Sequence, residues 1–304
     1  MQSRILLSIL LLLALVPSPP ANSQSADAEE PPKLLGRCTA SQLEAEPFAE
    51  WYRSGYEDYT PNSEFLEELR TVGTAGVDIT VFFGTWCGDS RREVPRIVKL
   101  LDEMGFPEEN LALVAVDGVD EALKQSPGGE ERGREIYRVP TVIVERGGRE
   151  ISRLVEHPVL SLERDLLAIL SGNEYEPNYA SYPVVRRWLA DGLLADPNVS
   201  PRGLANEVRH IVSTEGELSA AGLVLLTRGD VDEAVKLCQV NCVLHRQSSR
   251  CAARLADALL AAGEPEQARA AAERALRLND DPERIKALLE LIERMPENPE
   301  RADD

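Results

Sequence analysis

Apolar positions divide the chain into a mixed first half and a helical second half. Ile79, Thr80, Val81, Phe82 and Phe83 are β-branched or aromatic, the composition of an interior strand, and Gly84 ends the run. From Ser90, the residues Val94, Ile97, Val98, Leu100 and Leu101 recur at helical spacing, and Gly105-Phe106-Pro107 closes that helix. A second buried strand is expected over Leu111 to Val116. A charged, glycine-rich loop from Ser126 to Gly133 should lead to a short helical turn near Ile136. Tyr137 to Val144 reads as a third strand with Pro140 near its entrance. Gly147-Gly148 is a hairpin turn into a fourth strand from Glu150 to Val155. Ser161 should cap a helix through Leu170. Upstream, Leu43, Phe48, Trp51, Tyr52 and Tyr56 suggest a short amphipathic helix within Cys38 to Tyr59, and Asn62 caps another to about Val72. The order is βα, β, a ββ hairpin, then α.

After Gly172 the polar, tyrosine-rich stretch 173–183 reads as a linker or a packing strap, and the region 184–294 is helical throughout. Gly229 and Gly263, Ala234 and Ala268, Leu225 and Leu259, and Leu226 and Leu260 each lie 34 residues apart. Each stretch reads as helix, glycine turn, helix, and the period resembles the tetratricopeptide repeat. Two repeats bury too little alone, so helices near 184–195, 201–213 and 282–294 should complete the stack. Residues 295–304 form a polar tail.

Composition changes the picture mainly at the chain's start and in its charge. Arg4 precedes an apolar run from Ile5 to Val16, broken by prolines and followed by small residues, so residues 1–23 read as a cleaved secretory signal. An uncleaved anchor is the alternative. Residues 24–37 are polar and proline-bearing, an unstructured lead to a domain spanning 38–172. The net charge of -19, with 52 acidic against 33 basic side chains, argues against nucleic acid or an anionic membrane as partner. Secretion, most simply to a periplasm, would place the five cysteines (38, 87, 238, 242 and 251) in an oxidising setting.

Cys87 stands where the first strand hands over to a helix, a position whose unpaired N–H groups favour thiolate over thiol. Trp86-Cys87-Gly88 at this junction, Pro95 eight residues past the cysteine, and Val139-Pro140-Thr141 at a strand start together resemble the thioredoxin-like superfamily over residues 62–171. More narrowly, GTWCGDSRREVPR is similar to a bacterial group of secreted thioredoxin-domain proteins. The resemblance implies an α/β thioredoxin-like domain followed by an all-α tetratricopeptide-like domain. It also implies a cis-proline at Pro140, a substrate-binding surface from Trp86, Val139 and Pro140, and no cofactor.

Two departures limit what carries over. The family's second cysteine falls at Ser90, and its buried acidic residue, six positions before the first cysteine, falls at Val81. A single thiol remains, with Ser90 expected to donate a hydrogen bond to it. Arg91 and Arg92 should favour the thiolate and Asp89 oppose it. The implied chemistry is monothiol disulfide exchange or isomerisation on protein thiols or disulfides, resolved by a second protein thiol or a small thiol such as glutathione. The repeats would bind a protein partner. A non-enzymatic adaptor, with both parts as binding scaffolds, is the alternative.

Cys238 and Cys242 share one helix face and Cys251 begins the next helix, so a structural disulfide to Cys251 is expected, from Cys242 or else from Cys238. Cys38 could pair with a helical cysteine or stay free. Zinc sites use tighter paired spacing than these cysteines with His245 offer, so no metal is expected. His157, before Pro158, suits a structural role. His210 and His245 lie in helices without a catalytic partner.

Overall fold

A computed structural model describes residues 32–278 and 281–294. The expected signal peptide (1–23), most of the lead and the tail (295–304) lie outside the described residues. The structure has an α/β part built on a mixed five-stranded sheet among the described residues, followed by a helical C-terminal part.

In chain order the first part comprises β1 (Gly36–Cys38), α1 (Ala40–Leu43), α2 (Ala49–Asp58), α3 (Ser63–Thr71), β2 (Val77–Phe83) and α4 (Gly88–Met104). β3 (Leu111–Ala115), β4 (Thr141–Arg146), β5 (Arg149–Val155) and α5 (Leu162–Ser171) follow. The sheet order is β1-β3-β2-β4-β5. β2 runs parallel to β3, pairing Ile79 with Leu111 through Phe83 with Ala115, and antiparallel to β4, pairing Val77 with Arg146 through Phe82 with Thr141. The β4–β5 hairpin turns at Gly147 and Gly148, both at positive φ.

Burial along β2 explains why the thiol site sits at its end. The first half alternates, with Val77 and Ile79 buried and Asp78 exposed, whereas Val81, Phe82 and Phe83 are all buried. Val81 and Phe83 join the core under α2, α3, α4 and α5. Phe82 faces the other side, where Val114, Val116, Ile136, Val139 and Ile143 cover it. A strand buried on both faces loses its alternation and reads as a continuous apolar run.

Several expectations need correction. Residues 36–38, placed in the unstructured lead and at the start of a helix, instead form β1, an edge strand antiparallel to β3. The single helix expected within 38–59 is two, α1 and α2, with a cis Glu46–Pro47 bond between them. No helical turn forms at Ile136, which is fully buried in the loop covering Phe82; a 3-10 turn lies at Asp120–Ala122 instead. β4 begins at Thr141, because Arg138 to Pro140 form bends before it.

The second part comprises α6 (Ser181–Ala190), α7 (Pro201–Val208), α8 (Glu215–Arg228), α9 (Val231–Leu244), α10 (Ser249–Ala261), α11 (Pro265–Arg277) and α12 (Pro282–Arg294). α8–α9 and α10–α11 are successive helical hairpins, and the glycines of their turns, Gly229 and Gly263, both adopt left-handed φ. The paired positions also match in burial: Leu225 and Leu259 are in the core, and Ala234 and Ala268 are fully buried. Small residues allow close helix approach here. A Cβ at Gly222 would stand 3.1 Å from Cys238 Sγ, and α10 and α11 meet through Ala252, Ala253, Ala256, Ala268 and Ala272. No helix among the described residues is long and apolar enough to cross a membrane.

The stretch 173–183 is a strap, and its last residues already belong to α6. Asn178 Nδ2 donates to the carbonyls of Val155 and His157, and Tyr179 stacks on Tyr182. Tyr137 and Val155 share one apolar cluster with Tyr182, Trp188, Leu218 and Leu225, so the two parts are joined by continuous core.

Candidate functional site

β2 ends at Phe83, and the turn Gly84-Thr85-Trp86 delivers Cys87 as the N-cap of α4. The Cys87 N–H donates to Gly84 O at 2.9 Å, and Arg91 N–H to Cys87 O at 3.0 Å, which fixes the residue at the helix entrance. Its half-buried thiol donates to Val139 O at 3.3 Å, across from the cis Val139–Pro140 bond. Strand end, helix start and Val139–Pro140 loop therefore converge on one sulfur.

Trp86 is held in a slot. A Cβ at Gly84 or at Gly118 would approach its indole ring to 2.5 Å, so only glycine fits on either flank. The indole Nε1–H donates to Val116 O at 3.0 Å. Trp86 stays 36% exposed beside Cys87.

The remaining expected site residues take other roles. Ser90 is fully buried, and its hydroxyl accepts the Gly84 N–H at 3.1 Å, tying the turn to the helix rather than serving the sulfur. Arg91 donates to Thr85 O at 2.6 Å, a second brace on the same turn. Arg92 bonds Asp89 at 2.8 Å and Glu93 at 2.5 Å, so the two charges expected to oppose each other at Cys87 instead neutralise each other along α4. Side chains at the first turn of a helix satisfy the nearest polar group, and here these are backbone and carboxylate.

Four residues near the thiol escaped the sequence reading. Lys124 places its ammonium 4.1 Å from the centre of the Trp86 ring. Burial lowers its pKa to about 8, the Cys87 and Glu156 charges pull it back up, and Arg138 pushes it further down. Arg138, immediately before Val139, donates to Glu156 at 2.8 Å, to Tyr182 Oη at 2.9 Å and to Gly216 O of α8 at 2.9 Å. Glu156 also accepts from Tyr179, and its own N–H donates to Pro140 O at 2.7 Å. Glu93, 3% exposed, lines a narrow crevice with Pro140, Glu156 and His157. Three of the four follow turns or lie in loops, where no periodicity marks them; only the helical Glu93 interrupts an apolar face visibly.

All five cysteines are thiols in the structure, so the expected Cys242–Cys251 disulfide is not formed. The two groups instead act on each other, which lowers the Cys251 pKa and raises that of Cys242. Burial pushes Cys238 up to about 12 and Cys38 up to about 11. His157 contacts Pro158 O and Asn178 at 3.2 Å each, a structural role, and His245 caps α9. Among the described residues no group of three His, Cys, Asp or Glu side chains is arranged to hold a metal ion.

No protein-family model matches the chain, and a search of the curated proteins finds no significant match.

Proposed function

We propose that the chain is a thioredoxin-like thiol–disulfide exchange protein that works through Cys87 alone, with its helical part forming a tetratricopeptide-like binding module. One observation carries this reading. The half-buried Cys87 thiol sits at the start of α4, held against the Val139 carbonyl and flanked by the exposed Trp86 ring. A thiolate there meets the unpaired N–H groups of the helix start. An extended substrate segment can lie along the Val139–Pro140 loop with a disulfide at the sulfur.

The exchange is written in two steps. Cys87 thiolate attacks one sulfur of a substrate disulfide, that S–S bond breaks, a mixed disulfide forms and the other sulfur leaves as thiolate. A second thiol, from a protein or a small molecule such as glutathione, then attacks the mixed disulfide and releases Cys87. Ser90 cannot take that second role, so the resolving thiol comes from another molecule. A secreted, periplasmic setting supplies such disulfides.

The test is mass spectrometry of the full chain after brief exposure to oxidised glutathione. Cys87 should form the mixed disulfide at least tenfold faster in the native chain than in the urea-unfolded chain, by roughly the activation expected of a helix-start thiol. Equal rates in the two states would reject exchange and favour the adaptor reading.

A further inference from the structure

We propose that Lys124 is the charge and proton partner of Cys87, and that the helical part of the chain holds it in place. The inference rests on the thiol-exchange reading and identifies the group that stands in for the apolar Val81.

Val81 is fully buried and carries no proton, so the proton economy of the site must lie elsewhere. Lys124 is the cation that reaches the site. Its ammonium lies over the Trp86 ring, and among the described residues no carboxylate forms an ion pair with it. Asp117, at the other end of the same loop, is engaged by Lys33 Nζ at 2.9 Å and by the N–H groups of Gly118 and Val119. Glu156 faces Lys124 but is already bonded to Arg138 and Tyr179. Of the charges acting on the lysine, Cys87 is the largest, followed by Glu156 and Arg138. A half-buried ammonium without its own carboxylate is complementary to a thiolate that forms beside it.

The backbone is set to deliver that charge. Lys124 adopts a φ of +59°, uncommon for a residue with a Cβ. Two backbone bonds close the loop at its neck, Asp117 N–H to Gln125 O at 2.8 Å and Lys124 N–H to Asp117 O at 2.9 Å. The helical part then clamps it from behind. Gln125 Nε2 donates to Thr227 O of α8 at 3.3 Å, and Leu123 packs into the α6–α9 core.

During exchange the ammonium balances the Cys87 thiolate and gives its proton to the leaving thiolate. The neutral amine then takes the proton of the incoming thiol as that thiol attacks the mixed disulfide, which restores the starting state. A lysine titrating near 8 is closely matched to an ordinary thiol near 8.5, so neither transfer is steeply uphill.

The test measures Cys87 alkylation by iodoacetamide against pH in the full chain, read by peptide mass spectrometry. Lys124→Met removes the charge and keeps the stem on Trp86. Lys124→Gly removes it in a residue suited to positive φ, and Lys124→Arg keeps the charge. Below pH 8 the wild-type lysine is charged and supports the thiolate, so both neutral variants should react about tenfold more slowly near pH 6.5, an ion-pair effect of ordinary size. Above pH 9 the wild-type lysine is itself neutral, so the curves should converge, with Lys124→Arg following wild type at low pH. Superimposable curves for wild type and both neutral variants would overturn the inference while leaving the exchange reading intact. A wild-type Cys87 that reacts no faster folded than unfolded would overturn the exchange reading itself.

Discussion

At the scale of single residues, the site is defined by what braces the turn rather than by what touches the sulfur. Ser90, expected from the sequence to donate to the Cys87 thiol, instead accepts a buried N–H. Ser90→Ala leaves the Gly84 N–H without a partner and should cost about 1–3 kcal/mol of stability, the usual penalty for an orphaned buried donor. Urea denaturation measures it, and Cys87 alkylation in the folded variant should stay within about twofold of wild type. A Cys87 rate that collapsed while stability held would return Ser90 to a chemical role. The sequence made Cys87, Trp86 and Pro140 legible, because a strand, a turn and a helix start write themselves into local composition. Lys124 was not legible. Its role depends on a loop neck closed by Asp117 and Gln125, a contact with no local signature.

At the scale of elements, the strands and long helices follow from periodicity, and the errors gather where packing overrides it. β1 is too short to show alternation, and its pairing with β3 comes entirely from a partner some seventy-five residues away. The hairpins of the helical part were readable because their turn glycines and buried alanines recur in register. Between those hairpins, Cys242 near the end of α9 and Cys251 in the first turn of α10 put two thiols at the helix junction. Oxidation should join them, with an added disulfide such as oxidised glutathione as electron acceptor and two equivalents of glutathione as the reduced product. Peptide mapping should then show the peptides bearing Cys242 and Cys251 linked, with a gain of about 2 kcal/mol from the short closed loop. Failure to link while Cys87 reacts would show that the helix ends do not approach closely enough for a bond.

At the scale of the whole molecule, two apparent modules form one compact unit from Lys33 onward among the described residues. The sequence left 173–183 as a linker or a packing strap; it packs as a strap, Tyr137 and Val155 belong to the core of α6–α9, and Arg138 reaches Gly216. Cutting the chain after Gly172 would bare Tyr137 and Val155 and leave Arg138 without two of its three acceptors. The isolated first part should therefore be less stable than the full chain by several kcal/mol, since exposing Tyr137 and Val155 costs about 2 kcal/mol each and the lost Arg138 hydrogen bonds about 1 kcal/mol each. In the full chain, circular dichroism and Cys87 protection should report one shared urea transition; two separate transitions would show that the parts fold independently. The clamp of α8 on the Lys124 loop also bears on biosynthesis. A ribosome makes the thiol long before Thr227, so during synthesis Cys87 exists for well over a hundred residues without the contact that fixes its cation. Nascent chains would therefore carry the Lys124 loop without its brace until α8 docks.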